Sequence, residues 1–238
     1  MKETCKKTVF ITKIALLSIL VFSLSYLIYY VFFKYNGGIT EIDQKAIDFI
    51  LNIRNDKYTK FNIFLTMLGR EFLILKSVCF VILGFIIYSI KKYKNKKYYL
   101  VNIFYPGIAS LSAMFLNFAL KNVCDRVRPD VLHLVKETSF SFPSSHSTCS
   151  VVFYFSTLIV IINIIDRYIK NTNNKRNDIL LQILKVVLII TISIVPFIVA
   201  YTRVYLGVHY FTDVCAGLMF GGILFIVFNF IYNKLIKN

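Results

Sequence analysis

Long apolar runs separated by short charged clusters dominate the chain. Residues 14–33 form an uncharged run between Lys13 and Lys34. Residues 72–90 follow with a single charge, Lys76, near enough to the end of the run for its ammonium to snorkel. Residues 98–120, 147–165, 186–202 and 214–233 carry no charge. Each run is long enough to cross a hydrocarbon core of about 30 Å as a helix. The pattern therefore predicts an all-α integral membrane bundle of six transmembrane helices. The first run is too long for the apolar region of a secretory leader, and no small-residue cleavage site follows it, so it reads as an uncleaved span. Residues 40–54 have a different rhythm. Ile42, Ala46, Ile47, Ile50 and Leu51 recur at helical spacing, with Glu41, Asp43, Lys45 and Asp48 around them. That predicts a short amphipathic helix on the outer membrane surface, serving as a lid or spacer. Internal repeats and low-complexity segments are absent from the sequence, which reads as one membrane-embedded domain over residues 1–238.

Composition supports the bilayer as solvent. Hydrophobic residues make up 57% of the chain and charged residues 17%, and mean hydropathy is +0.66. A soluble fold of this size could not hide so much apolar surface. The formal net charge of +16 would in a soluble protein point to nucleic acid. In a membrane protein, excess Lys and Arg marks cytoplasmic loops facing anionic lipid, so no nucleic-acid partner is expected. With both termini in the cytoplasm, the inner segments hold 16 of the 28 Lys/Arg and three of the 12 acids. This is the positive-inside arrangement of a multi-pass plasma-membrane protein.

The same topology brings three polar segments to the outer side. Lys121 and Arg128 lie seven residues apart and Pro129 closes that run; Pro143, Ser144, Ser145 and His146 open the fourth span; Arg203, His209 and Asp213 frame the last outer turn. Three cations, Lys121, Arg128 and Arg203, suit a phosphate dianion, and the guanidinium fork grips two oxygens at once. Ser144, Ser145 and the unpaired N–H groups of a helix start make an anion site. Asp213 follows His209 by four residues, on one helix face. An aspartate accepting from one ring nitrogen leaves the other free as a nucleophile. His146 is then available to protonate a departing oxygen. This apparatus for phosphoryl transfer calls for no metal and no cofactor. Singly, each element also fits a plainer role: a solvated loop, a helix cap, a structural His209–Asp213 pair. His133, the third histidine, reads as an ordinary loop residue. The five cysteines, Cys5, Cys79, Cys124, Cys149 and Cys215, show no metal-ligand spacing, and Cys124 and Cys149 fall close enough to the outer surface to suggest a disulfide.

Taken in order, the three segments resemble the three-part signature of the type 2 phosphatidic acid phosphatase superfamily. That superfamily includes bacterial lipid phosphatases, undecaprenyl diphosphate phosphatases and glucose-6-phosphatase. The resemblance spans residues 121–213. It implies His209 as nucleophile, Asp213 as its orienting partner and His146 as general acid, with Lys121, Arg128, Ser144, Ser145 and Arg203 holding phosphate. Two positions depart from the family pattern: Ser145 stands where glycine is usual, and Thr202 precedes Arg203 in place of serine. The expected activity is hydrolysis of a membrane lipid phosphate or diphosphate. Undecaprenyl diphosphate is preferred because the chain is small and its outer loops short; phosphatidylglycerophosphate and phosphatidic acid are the other candidates. A phosphotransferase using the same site, and a non-catalytic lipid-binding or transport protein, are the alternative readings. The sequence leaves the oligomeric state open.

Overall fold

The computed structural model describes residues 2–69, 76, 78–80, 82, 83, 96–131, 133–171 and 175–237. Over these residues the chain is mostly helical, with turns and an irregular segment over residues 125–131 and 133–144. Helix α1 runs Lys2–Ile28 and continues as a wider π-helical segment, Tyr29–Lys34. Two short helices follow, α2 (Glu41–Ile53) and α3 (Asp56–Thr66). Four more long ones follow among the described residues: α4 (Lys96–Cys124), α5 (Ser145–Asn171), α6 (Lys175–Tyr205) and α7 (Phe211–Lys237).

Five of the six expected spans lie among the described residues, as apolar helices over Ile11–Lys34, Lys97–Cys124, Ser145–Lys170, Asn177–Tyr205 and Phe211–Ile236. The remaining expected span, residues 72–90, falls almost wholly outside them. Helix α5 is the most buried of the five and packs against α4, α6 and α7, while α1 lies along α7. The outer helices turn large apolar side chains away from the protein: Phe22 and Phe33 on α1 and its extension, Phe115 on α4 and Phe197 on α6 are all exposed. In water such a surface would be unstable; in a bilayer it is the lipid-facing wall. The protein is a multi-pass membrane protein.

Close approach of α7 to α5 is set by two glycines one helical turn apart. A Cβ on Gly217 would lie 2.6 Å from the carbonyl oxygen of Ser144, and one on Gly221 would lie 2.8 Å from that of Thr148. Small residues at four-residue spacing let membrane helices meet backbone to backbone. Here they bring the start of α5 against the first turns of α7.

Helix α2 forms where the amphipathic pattern predicts it. Thr40 caps it in a reciprocal arrangement with Asp43, whose N–H donates to Thr40 Oγ1 (3.2 Å) while Asp43 Oδ2 accepts from Thr40 N (3.4 Å). Its packed side differs from expectation in one respect. Ile50, with Ala46 and Ile53 beside it, joins a core formed with Val204, Leu206 and Val208. Asp43, grouped by the sequence with the polar flank, is fully buried, because Arg126 and Thr212 supply it with partners inside the protein. The suggested disulfide is not formed. Cys124 and Cys149 are free thiols and pack into different apolar clusters, Cys124 near Phe142 and Cys149 beside Phe153.

Candidate active site

The ends of α4 and α6 and the starts of α5 and α7 meet at one end of the bundle, and two tight turns aim their side chains. Helix α4 stops at Cys124, where Asp125 takes a left-handed φ of 41° and its N–H bonds the Lys121 carbonyl at 2.9 Å. This leaves Lys121 in the last helical turn and sends Arg126 and Arg128 back across the helix end. At the end of α6, Gly207 (φ 75°) closes the helix with an N–H bond to the Val204 carbonyl at 3.0 Å. Glycine accepts that backbone conformation at no steric cost, and the chain then presents His209 before α7 begins.

Asp213 caps its own helix, its Oδ2 accepting from Tyr210 N at 2.9 Å. The same oxygen accepts from the Ser141 hydroxyl and faces His209 Nδ1 at 3.4 Å. The other ring nitrogen, Nε2, lies 3.3 Å from Arg128 Nη1. His209 is 2% exposed, and its pKa is held well below the ordinary imidazole value. Burial is the main cause, followed by the charges of Lys121, Arg128 and Arg203. The imidazole is therefore neutral at pH 7. With Nδ1–H directed at Asp213, the Nε2 lone pair faces the cations.

The other predicted site residues lie at the same end of the bundle as this histidine. Lys121 is buried and its ammonium donates to the Phe140 carbonyl. Arg128 donates to the carbonyls of Ser139 (Nε, 2.7 Å) and Val208. Arg203 donates through Nη1 to Thr66 Oγ1 at 2.9 Å. His146 sits buried on the first turn of α5. Ser144 is fully buried, and its hydroxyl has no hydrogen-bond partner among the described residues. Ser145 differs from its partner: its hydroxyl donates to Asn117 Oδ1 on α4, so toward an anion it can offer its backbone rather than its side chain.

Four further residues complete the site. Glu137 bridges two of the cations, accepting from Arg203 Nη2 and lying 3.6 Å from Arg128 Nη2. Its carboxylate stands between those two cations, where an arriving phosphate would have to displace it. Gly69 backs the second histidine, since a Cβ there would come within 2.5 Å of His146 Cδ2. Arg126 and Asp43 form the third and fourth, with Arg126 Nη1 donating to Asp213 Oδ1 at 2.6 Å and Nη2 to Asp43 Oδ2 at 2.7 Å. In the sequence, Arg126 reads only as one more basic residue of an outer loop. Its two-residue offset from Arg128 was the available signal. Groups of three or more His, Cys, Asp or Glu side chains that could hold a metal ion do not occur among the described residues.

Fold and site together define a class: a polytopic helical membrane protein with a buried, cation-rich pocket around a carboxylate-oriented histidine. Residues 102–237 match the PAP2 superfamily, and the chain belongs to that superfamily. Phosphatidylglycerophosphatase B of Bacillus subtilis (strain 168) is similar, with 38% identity over 110 residues, or 46% of this chain. The matched stretch spans 48% of that relative, about half its length. A crystal structure described as the first transmembrane PAP2 type phosphatidylglycerolphosphate phosphatase from Bacillus subtilis has a similar fold. Its TM-score is 0.67 at 25% identity, over 92% of this chain and 96% of that one.

Proposed function

We propose that the protein hydrolyses a membrane lipid phosphate by passing the phosphoryl group through His209 to water. One observation carries this reading: a neutral, buried His209 has one nitrogen toward Asp213 and the other toward Arg128. A structural histidine needs the first contact. A second nitrogen left deprotonated and turned toward cations suited to an anion is what a nucleophile requires in addition.

The reaction follows from these groups. Lys121, Arg128 and Arg203, with the Ser144 hydroxyl and the N-terminal amides of α5, take the phosphate and displace Glu137. His209 Nε2 attacks phosphorus, the bond from phosphorus to the lipid oxygen breaks, and His146 gives that oxygen a proton. Asp213 stabilises the positive charge that gathers on the His209 ring. Water then attacks the phosphohistidine, His146 takes its proton, and the phosphorus–nitrogen bond breaks to free inorganic phosphate. The three cations supply the charge neutralisation that magnesium supplies in many phosphoryl-transfer enzymes.

A lipid substrate fits the surroundings. Ile47, Ile50, Leu51, Arg54, Pro129, Val131, Val204 and Gly207 line a small pocket whose wall includes His209. A headgroup held at the membrane boundary can approach His209 without drawing its tail into water, which would cost about 0.8 kcal/mol per CH₂. Phosphatidylglycerophosphate stands first among candidates because the similar relative and the similar crystal structure are both named for it. Undecaprenyl diphosphate, favoured by the small chain and short outer loops, and phosphatidic acid are the next to test. The charge distribution supports cytoplasmic termini and an extracytoplasmic site, and the chain acts as a single unit.

The test is phosphate release by the purified full chain from a panel of these three lipids and short-chain soluble esters, with and without EDTA. Turnover that persists in EDTA and favours a long-chain lipid phosphate is expected. Turnover restored only by added Mg²⁺ would refute the metal-free reading. Phosphate passed to an acceptor other than water would make the protein a phosphotransferase, and binding without turnover a lipid-binding or transport protein. For topology, a cysteine placed at the exposed Thr138 in a cysteine-free background should react with an impermeant thiol reagent outside intact cells.

A further inference from the structure

Arg126 is 2% exposed and its five donors are all committed. Nε donates to the Gly37 carbonyl at 3.0 Å. Nη1 donates to Thr212 Oγ1 at 2.7 Å and Asp213 Oδ1 at 2.6 Å. Nη2 donates to the Gly38 carbonyl at 2.8 Å and Asp43 Oδ2 at 2.7 Å. Its guanidinium carbon lies 4.1 Å from the centre of the Tyr210 ring. No donor is left for a substrate, which separates Arg126 from Arg128 two residues on. Asp43 is equally committed, accepting from Arg126, from Thr212 N at 2.9 Å and from Thr212 Oγ1.

On the reading that His209 accepts the phosphoryl group, we infer that Arg126 and Asp43 are positioning residues for that step. Arg126 fixes the Asp213 carboxylate, and Asp43 fixes Arg126. The division of oxygens makes the point. Arg126 engages Asp213 Oδ1, leaving Oδ2 for the Ser141 hydroxyl, Tyr210 N and His209 Nδ1. A buried carboxylate without a cation tends to take up a proton, and then it no longer accepts from the imidazole.

Charge balance gives Asp43 its part. One arginine with one aspartate would be neutral, and Asp213 would have little field left for the histidine. Two buried aspartates share the single arginine, so the cluster keeps one negative charge facing His209. When Nε2 bonds phosphorus the ring becomes cationic, and that charge is already in place to stabilise it. The arrangement also makes α2 and the Gly37–Gly38 turn part of the reaction apparatus, although they precede the first signature residue by some eighty positions.

The experiment is a kinetic cycle on the purified full chain with a lipid phosphate substrate. Arg126→Gln should lower kcat by about 100-fold, the upper size for groups that orient a functional histidine, with KM within about twofold because no phosphate contact is lost. Arg126→Lys should recover part of the loss. Combined with Asp213→Asn, Arg126→Gln should add little, since both act through one carboxylate. Asp43→Asn keeps the side-chain shape, and should lower kcat by about tenfold if Arg126→Gln fails to fold. Wild-type kcat in Asp43→Asn or Arg126→Gln, a loss confined to KM, or losses that multiply with Asp213→Asn would each overturn the inference. His209→Ala separates this from the underlying reading. If it is inactive while Arg126→Gln is normal, only the positioning role falls; if it turns over, the proposed function falls first.

Discussion

Two buried polar networks tie the helices together, one at each end of the bundle, and they are built from different chemistry. At the end remote from His209, Tyr232 OH donates to Asn102 Oδ1 (2.8 Å) and accepts from Asn163 Nδ2 (2.7 Å), joining α7, α4 and α5. Tyr105 stacks on Tyr232 with ring centres 4.3 Å apart. Every member of that network is neutral. At the other end, the network of Asp43, Arg126, Thr212 and Asp213 is ionic and buried, and Lys121, Arg128, Arg203 and Glu137 crowd beside it. Neutral amides and phenols suffice to hold membrane helices in register. Ionised groups at such depth carry a large desolvation cost and mark chemistry. The difference between the two ends supports the proposed site independently of any motif.

If the contrast is right, damage at the ionic end should fall on turnover. Asp213→Asn should have the largest effect, about 10⁴-fold on kcat, by leaving the imidazole in the wrong tautomer, and rapid-quench kinetics would read it. His146→Ala should cost roughly 10²–10⁴-fold through loss of the proton donor, most for poor leaving groups. Gly217→Ala sharpens the comparison without touching a reactive group. The added methyl must push α7 from the Ser144 carbonyl. Displacement of about 1 Å between the two histidines should cost about 10²-fold in kcat/KM. Lys121→Met predicts a shift in the pH profile. Lys121 helps lower the His209 pKa, so removing it raises that pKa and moves the acid limb of kcat/KM to higher pH. At the neutral end, Tyr232→Phe should cost about 1–2 kcal/mol of stability, seen as a lower Tm, with kcat within about twofold. A large loss of turnover in that variant would break the contrast.

How much of this was legible in the sequence depends on distance along the chain. Local signals survived. Five of the six apolar runs are long helices among the described residues, and the His209–Asp213 spacing is a contact because Asp213, in the first turn of α7, turns its carboxylate back to the turn that holds His209. Signals that needed a distant partner did not. Asp43 lies in an amphipathic pattern whose polar flank normally meets water, and only the fold reveals Arg126 opposite it, 83 residues on. Ser145 is expected at the phosphate from its place in the second segment, and only the fold shows its hydroxyl donating to Asn117 on α4. Gly217 and Gly221 read as unremarkable residues of an apolar run until α5 is packed against them. The Glu137 carboxylate, between two arginines, could not be placed by any short-range rule.

The central claim is that His209 carries the phosphoryl group. Rapid acid-free quenching of the purified protein with a lipid substrate bearing labelled terminal phosphate tests it most directly. The account predicts an acid-labile, alkali-stable phosphoryl adduct that maps to the peptide containing His209 and is absent from His209→Ala. Label on another residue, or full turnover in His209→Ala, would contradict it.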